Sequence, residues 1–261
     1  MQAAAAPSNA TSARLSAAAP STTPRESAAE RLRRHLAAVM QLRAAYATDA
    51  QLRAGVLELK AWQAARLART YADLLASPRY HRAAQFFLEE LYGARDFSQR
   101  DADVERILPK MTALLPEVAL TTIAGAIELD ELSEELDSRV AIAHGPGAVS
   151  ETSYVAAYRA GSSPEERARQ IHLIDHIGHT LDSLTRVPML LTTLKLMRGP
   201  ARLAGLSGLQ QFLEQGFMHC KEMRGVDEFL GIIVQRETRT MERLFAGVEN
   251  PLSGGPETAL K

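Results

Sequence analysis

Apolar residues recur every three to five positions through nearly the whole stretch from Leu32 to Phe245, and alternating β-branched runs are scarce. That period keeps one face of an α-helix apolar and argues against strands. Ala, Leu, Arg and Glu dominate the chain, and all four favour helix. The expected fold class is all-α, a multi-helix bundle. With 46% hydrophobic residues in 261, the chain can bury a sizeable core.

Start and stop signals divide the pattern. A first helix is expected over 30–46, with Leu32, Leu36, Val39 and Leu42 apolar, and a second over 49–76. Ser77-Pro78 reads as a cap and first turn leading to Leu91. Ser98 with Asp101 resembles a capping box, and Pro109 reads as a kink or break in the helix that follows. Residues 117–143 read as one long helix or two, and a short helix is expected around 154–158. Ser163-Pro164-Glu165-Glu166 is the sharpest start in the chain. Its helix runs to about Arg186. Gly199-Pro200 is expected to end the helix after Pro188, and two more helices cover 207–223 and 229–246.

Residues 1–27 are almost entirely Ala, Ser, Thr and Pro and read as a disordered tail. Residues 249–261 read as a loose C-terminus. Between them, 28–248 is one helical domain, with 30–143 and 153–246 as the alternative two lobes about HGPG (144–147). A single cysteine, Cys220, rules out an intrachain disulfide and predicts a reducing, cytoplasmic setting. No run of 18 charge-free apolar residues is present, so no transmembrane segment is expected. A net charge of -1 disfavours nucleic acid as a partner. Charge is unevenly spread. Residues 1–47 hold six arginines against two glutamates, and residues 117–151 hold eight acids against one arginine. Both stretches read as solvated faces, with pairing between them as the alternative.

One dense group of metal-capable side chains occurs. In IHLIDHIGHTLD, His172, Asp175, His176 and His179 share a helix face by their spacing of three and four. Such a face can give two ligands to a divalent ion such as iron, manganese or zinc. Completion would come from Glu89 or Glu90, Glu128 or Glu131, Glu214, His219 or Glu237. The match to known ligand signatures is partial: there is no HExxH and no Glu-x-x-His. The bland reading puts Leu173, Ile177 and Leu181 in the core and the histidines in water. A haem pocket under His144, His176 or His219 is a further, weaker reading. Phe86, Phe87 and Leu88 read as core, with the lining of a ligand pocket as the alternative. The acids of GAIELDELSEELDSR read as a solubilising surface, Arg31, Arg33, Arg34 and His35 as a weak anion-binding stretch, and Cys220 as an inert buried thiol. Common serine-hydrolase, dinucleotide and P-loop motifs are absent from the sequence.

FFLEELYG (86–93), DFSQRDAD (96–103), GLQQFLEQGF (208–217) and MERLFAG (241–247) resemble an uncharacterised family of bacterial helical proteins. The resemblance covers most of the folded region, implies a bacterial cytoplasmic protein, and carries no catalytic residue onto this chain. Two function classes follow from the residues. One is a non-catalytic interaction or regulatory protein with a protein partner or a second copy of itself. The other is a metal-binding protein or metal-dependent enzyme using the histidine face.

Overall fold

The structure, a computed structural model, describes residues 26–91 and 97–253, without the side chains of Glu90, Leu91 and Leu114. The expected tail lies outside these residues apart from Glu26 and Ser27. So do 92–96, and so does the expected loose C-terminus from 254 onward.

The described chain is helical. In order it forms α1 (Ala28–Thr48), α2 (Ala50–Thr70), α3 (Ala72–Ala76), α4 (His81–Phe86) and a π-helical turn (Phe87–Leu91). Then come α5 (Ser98–Leu114), α6 (Glu117–His144), α7 (Glu151–Gly161), α8 (Pro164–Thr185) and α9 (Leu190–Leu196). The last three are α10 (Arg198–Leu203), α11 (Ser207–Glu222) and α12 (Asp227–Ala246). No strand occurs among the described residues.

Local chemistry sets the boundaries. Ser27 and Glu30 make a reciprocal capping box for α1. Asp49 accepts from the Gln51 and Leu52 amides and starts α2, so the chain breaks between the two helices as expected. Ser163 and Glu166 cap α8 as their spacing predicts. Other start and stop signals misled. Ser77 does not cap α4 with its side chain: a turn intervenes and the helix begins at His81, after Tyr80. Phe97, not Ser98, is the N-cap residue of α5, because Asp101 turns inward to a buried arginine. Helix α5 runs through Pro109 unbroken. Gly199-Pro200 falls in the first turn of α10, where a missing N–H costs nothing.

At 28 residues, α6 is about 42 Å long and forms the axis. It packs against α1, α2, α7 and α8, and α12 covers α8. Four apolar clusters surround this axis. Leu32, Leu36, Val39, Val104, Leu108 and Ile127 join α1, α5 and α6. Tyr46, Val56, Leu59, Val140, Tyr154 and Leu244 join α1, α2, α6, α7 and α12. Leu67, Leu74, Tyr80, Ile174, Phe229 and Leu230 close the opposite end, and Leu132, Leu136 and Leu173 lock α6 to α8.

Gly161 lets α7 end against the backbone of α6. A Cβ there would stand 2.7 Å from the Val140 nitrogen and 2.8 Å from the Arg139 carbonyl carbon. Gly231, within α12, meets nothing within 4 Å. Gly161→Ala should therefore cost about 1–3 kcal/mol by overpacking, and Gly231→Ala should add about 0.5–1 kcal/mol by helix propensity. Urea unfolding of both variants checks the pair. Equal effects would contradict the close α6–α7 approach.

Candidate functional site

The inner face of α6 is acidic. Asp130, Glu134 and Asp137 follow one another at spacings of four and three and so share a side. Glu134 and Asp137 are buried. The acidic run is thus no solvated surface, because cations from neighbouring helices reach it. Arg43 of α1 donates to Asp130 at 2.8 Å, to Glu134 at 3.0 Å and also to Asp101 of α5. Arg100 donates to Asp130 at 2.7 Å. Lys60 of α2 pairs with Glu134. Three cations meet three acids, so this cluster is neutral, and the Phe97 ring caps it under both guanidinium groups. The outer acids pair as well: Glu128 with Arg31 and Arg169, and Glu131 with the buried His35. The basic stretch and the acidic stretch therefore pair with each other, as the alternative reading had it.

Beside this cluster lies a cavity of about 110 Å³ between α2, α6, α7, α8 and α12. Its polar end is lined by Lys60, Gln63, Arg66, Asp137, Tyr154, Tyr158, Arg167 and Glu237. Arg66 makes a two-pronged bond to Glu237 at 2.8 and 3.1 Å, and the Tyr71 hydroxyl donates to the same carboxylate at 2.8 Å. Burial pushes the Glu237 carboxyl up, but Arg66 and Tyr71 outweigh it and hold the group below the usual range. Asp137 has less support. Gln63 donates to it at 3.2 Å. Burial pushes its carboxyl above the usual range despite the pull of Lys60 and Arg167.

Arg167 is 5% exposed and has no carboxylate partner among the described residues. Its Nε donates to the Ser162 hydroxyl at 3.1 Å, and Nη1 to Gln170 at 3.0 Å. Gln170 in turn donates to Ser133 at 2.8 Å. The guanidinium lies over the Tyr158 ring at 4.3 Å. Nη2 is buried and has no hydrogen-bond partner among the described residues. The α8 cap fixes this geometry, since Glu166, the residue before Arg167, is held by Ser163 and by Arg139 at 2.5 Å. The other end of the cavity is apolar, with Leu67, Leu74, Ile174, Phe229 and Ile233 and, from the π-helical turn, Phe87 and Leu88.

The residues expected to hold a metal lie elsewhere. His172 and His176 are exposed on α8, their rings stacked at 6.3 Å. His179 is 3.3 Å from both Asp175 and Asp227. A bond to the Asp175 carbonyl, and then these two carboxylates, raise its pKa. Among the described residues no group of three or more His, Cys, Asp and Glu side chains is disposed to hold one ion. Of the side chains expected to complete such a site, Glu89 accepts from Gln85, Glu214 pairs with Arg198 and His219 packs on Phe86. The Glu90 side chain is outside the description. His144 bonds the Gly145 carbonyl and Ser153. Burial pushes the Cys220 thiol up to about 12, so it is a poor nucleophile.

A family described as a domain of unknown function (DUF8198) matches residues 42–251. The chain belongs to this family. All the cavity-lining residues fall inside the DUF8198 stretch, as do FFLEELYG, GLQQFLEQGF and MERLFAG. No curated protein and no solved structure matches the chain. Sequence reasoning singled out Glu237, though as a metal ligand, and Phe87 and Leu88 of this DUF8198 chain, but it passed over Arg66 and Arg167, although a signal was there. Arg167 is in helical phase with the buried Ile171 and Ile174, and a cation in phase with a core stripe points inward.

The two buried carboxyls give opposite pH signatures. A raised folded-state pKa means that Asp137 stabilises most below its unfolded pKa, with the benefit lost as pH rises through the folded value. Asp137→Asn keeps an acceptor for Gln63 and should raise stability at neutral pH, with the gain vanishing in acid. Glu237 is depressed, so its contribution is present above the unfolded pKa and lost as pH falls through the folded value. Glu237→Gln strands the Arg66 charge and should cost about 3 kcal/mol or more at neutral pH. Urea midpoints across the acid range check both signs.

Proposed function

We propose that the chain is a non-catalytic regulatory protein that captures a small organic carboxylate in its interior cavity, within the cytoplasm of a bacterium. The observation that carries this reading is Arg167, a buried cation that lines the cavity and whose Nη2 has no hydrogen-bond partner among the described residues. A buried donor left unsatisfied costs about 1–3 kcal/mol, and a carboxylate oxygen removes that cost with a charge-assisted bond. The apolar wall opposite suits a short hydrocarbon tail. A cavity of about 110 Å³ is somewhat smaller than one that takes benzene, which sets the ligand at roughly four to six non-hydrogen atoms.

Charge supports the same class. Arg66 is matched by Glu237 and Lys60 by Glu134. Arg167 and Asp137 face the cavity without a direct ion pair between them. Protonation of Asp137 leaves Arg167 uncompensated, and a bound anion raises the Asp137 carboxyl further. Binding therefore takes up a proton and tightens as pH falls, until the ligand's own carboxylate is protonated. The cavity wall favours binding over chemistry. Burial pushes the Tyr154 and Tyr158 phenols above their ordinary pKa, which leaves them neutral.

Calorimetry with straight and branched carboxylates of about two to four carbons, each beside its neutral amide, tests the reading. One or more acids should bind, their amides should not, and Arg167→Gln should weaken binding about tenfold or more. Repeating the titration in buffers of different ionisation enthalpy should reveal proton uptake. Absence of binding across the series, or equal binding by Arg167→Gln, overturns the proposal.

A further inference from the structure

We infer that the corner formed by α9 and α10 docks on an anionic lipid surface. This inference is independent of the cavity. Three observations carry it. First, no residue of α9 is buried. Second, the corner concentrates exposed large apolar side chains: Leu203 is 90% exposed, Met189 75% and Leu196 73%, with Val187 and Met197 also exposed. Others left in water, such as Val118 and Ile142, stand singly on other helices. Third, no acid occurs between Asp182 and Glu214, whereas Arg186, Lys195, Arg198 and Arg202 all lie there.

The corner is small and held in place. At 1.5 Å per residue, α9 is about 10 Å long and α10 about 9 Å, so the projecting side chains come from one short stretch of helix. Gln210 of α11 donates to the Leu194 carbonyl at 2.5 Å, and Arg198 is held by Glu214. Lys195 and Arg202 have no ion-pair partner among the described residues and stand free for phosphate groups.

Arg186 is paired with Asp182 and Arg198 with Glu214, so Lys195 and Arg202 are the cations that meet anionic headgroups while the apolar tips beside them enter the acyl boundary. No helix among the described residues is long and apolar enough to cross a membrane, so the contact is peripheral. A second copy of the chain fits worse. A two-fold interface through this corner sets its cations against the same cations of the other copy.

The full chain should cosediment with vesicles of equimolar phosphatidylcholine and phosphatidylglycerol and not with phosphatidylcholine alone. Leu196→Glu with Leu203→Glu should reduce the partition coefficient about tenfold or more without lowering the melting temperature, because both side chains already face water. Lys195→Gln with Arg202→Gln should weaken binding and flatten its salt dependence. Failure to bind anionic vesicles overturns the inference, as does binding that the leucine pair leaves unchanged. Sedimentation velocity is run beside it. A dimer that the leucine pair dissolves identifies a second copy as the occupant and overturns the lipid assignment.

Discussion

Burial of the acidic inner face of α6 is the constraint to which the other helices answer. A carboxylate taken out of water costs several kcal/mol unless it is paired and hydrogen-bonded, and α6 turns Asp130, Glu134 and Asp137 to one side. The compensating cations come from three helices remote in sequence: Arg43 on α1, Lys60 on α2 and Arg100 on α5. Each bond also limits how its helix is rotated about its own axis. Arg43 reaches Asp101, Asp130 and Glu134 together only when α1, α5 and α6 hold one register. Aliphatic stripes of Leu and Val supply burial without such discrimination, since a stripe of similar width packs in several rotations.

The polar interior is completed unevenly. Around Asp130 and Glu134 every charge has an opposite charge at bonding distance. Around Arg167 the pairing gives way to neutral partners, Ser162 and Gln170, and to the face of Tyr158. Replacing buried ion pairs by apolar residues of similar volume is often neutral or stabilising. Stability alone therefore explains neither the cation there nor the space beside it. The π-helical turn at Phe87–Leu91 interrupts the α-helical path at the end of α4 and contributes Phe87 and Leu88 to the cavity wall.

Helical periodicity made the fold class and most helix spans legible in the sequence, because a three-to-four spacing of Leu, Ile and Val survives whatever packs against it. Caps that satisfy their own helix, such as Ser163 with Glu166, were equally legible. Asp101 was not. Its spacing from Ser98 suits a cap, but Arg43 lies 58 positions away in the chain, and no local pattern shows that the two meet. The same blindness made the acids of α6 look solvated. A charged residue in phase with a core stripe is the one local clue to a distant partner. Arg167 carries it with Ile171 and Ile174, whereas the dense grouping of His172, His176 and His179 drew attention to a face that the fold leaves in water.

Along α8 the chain passes from its most constrained surroundings to its least. The N-terminal turn is locked by Ser163, Glu166 and Arg139, and places Arg167 against Tyr158 in the interior. Midway, Leu173 and Ile174 keep one face on α6 and α12 while the histidines face solvent. At the far end the helix gives way to Val187 and Met189. Met189 adopts a left-handed backbone at φ 65° with its side chain 75% exposed. That conformation costs a non-glycine residue about 1 kcal/mol or more, and the fold recovers little of it by burying the side chain. Two short helices with almost nothing buried follow. The hydrophobic effect orders the first half of this path from within. The second half is ordered by its seat on α11, through Arg198 with Glu214 and Gln210 with Leu194, and keeps its apolar surface turned outward.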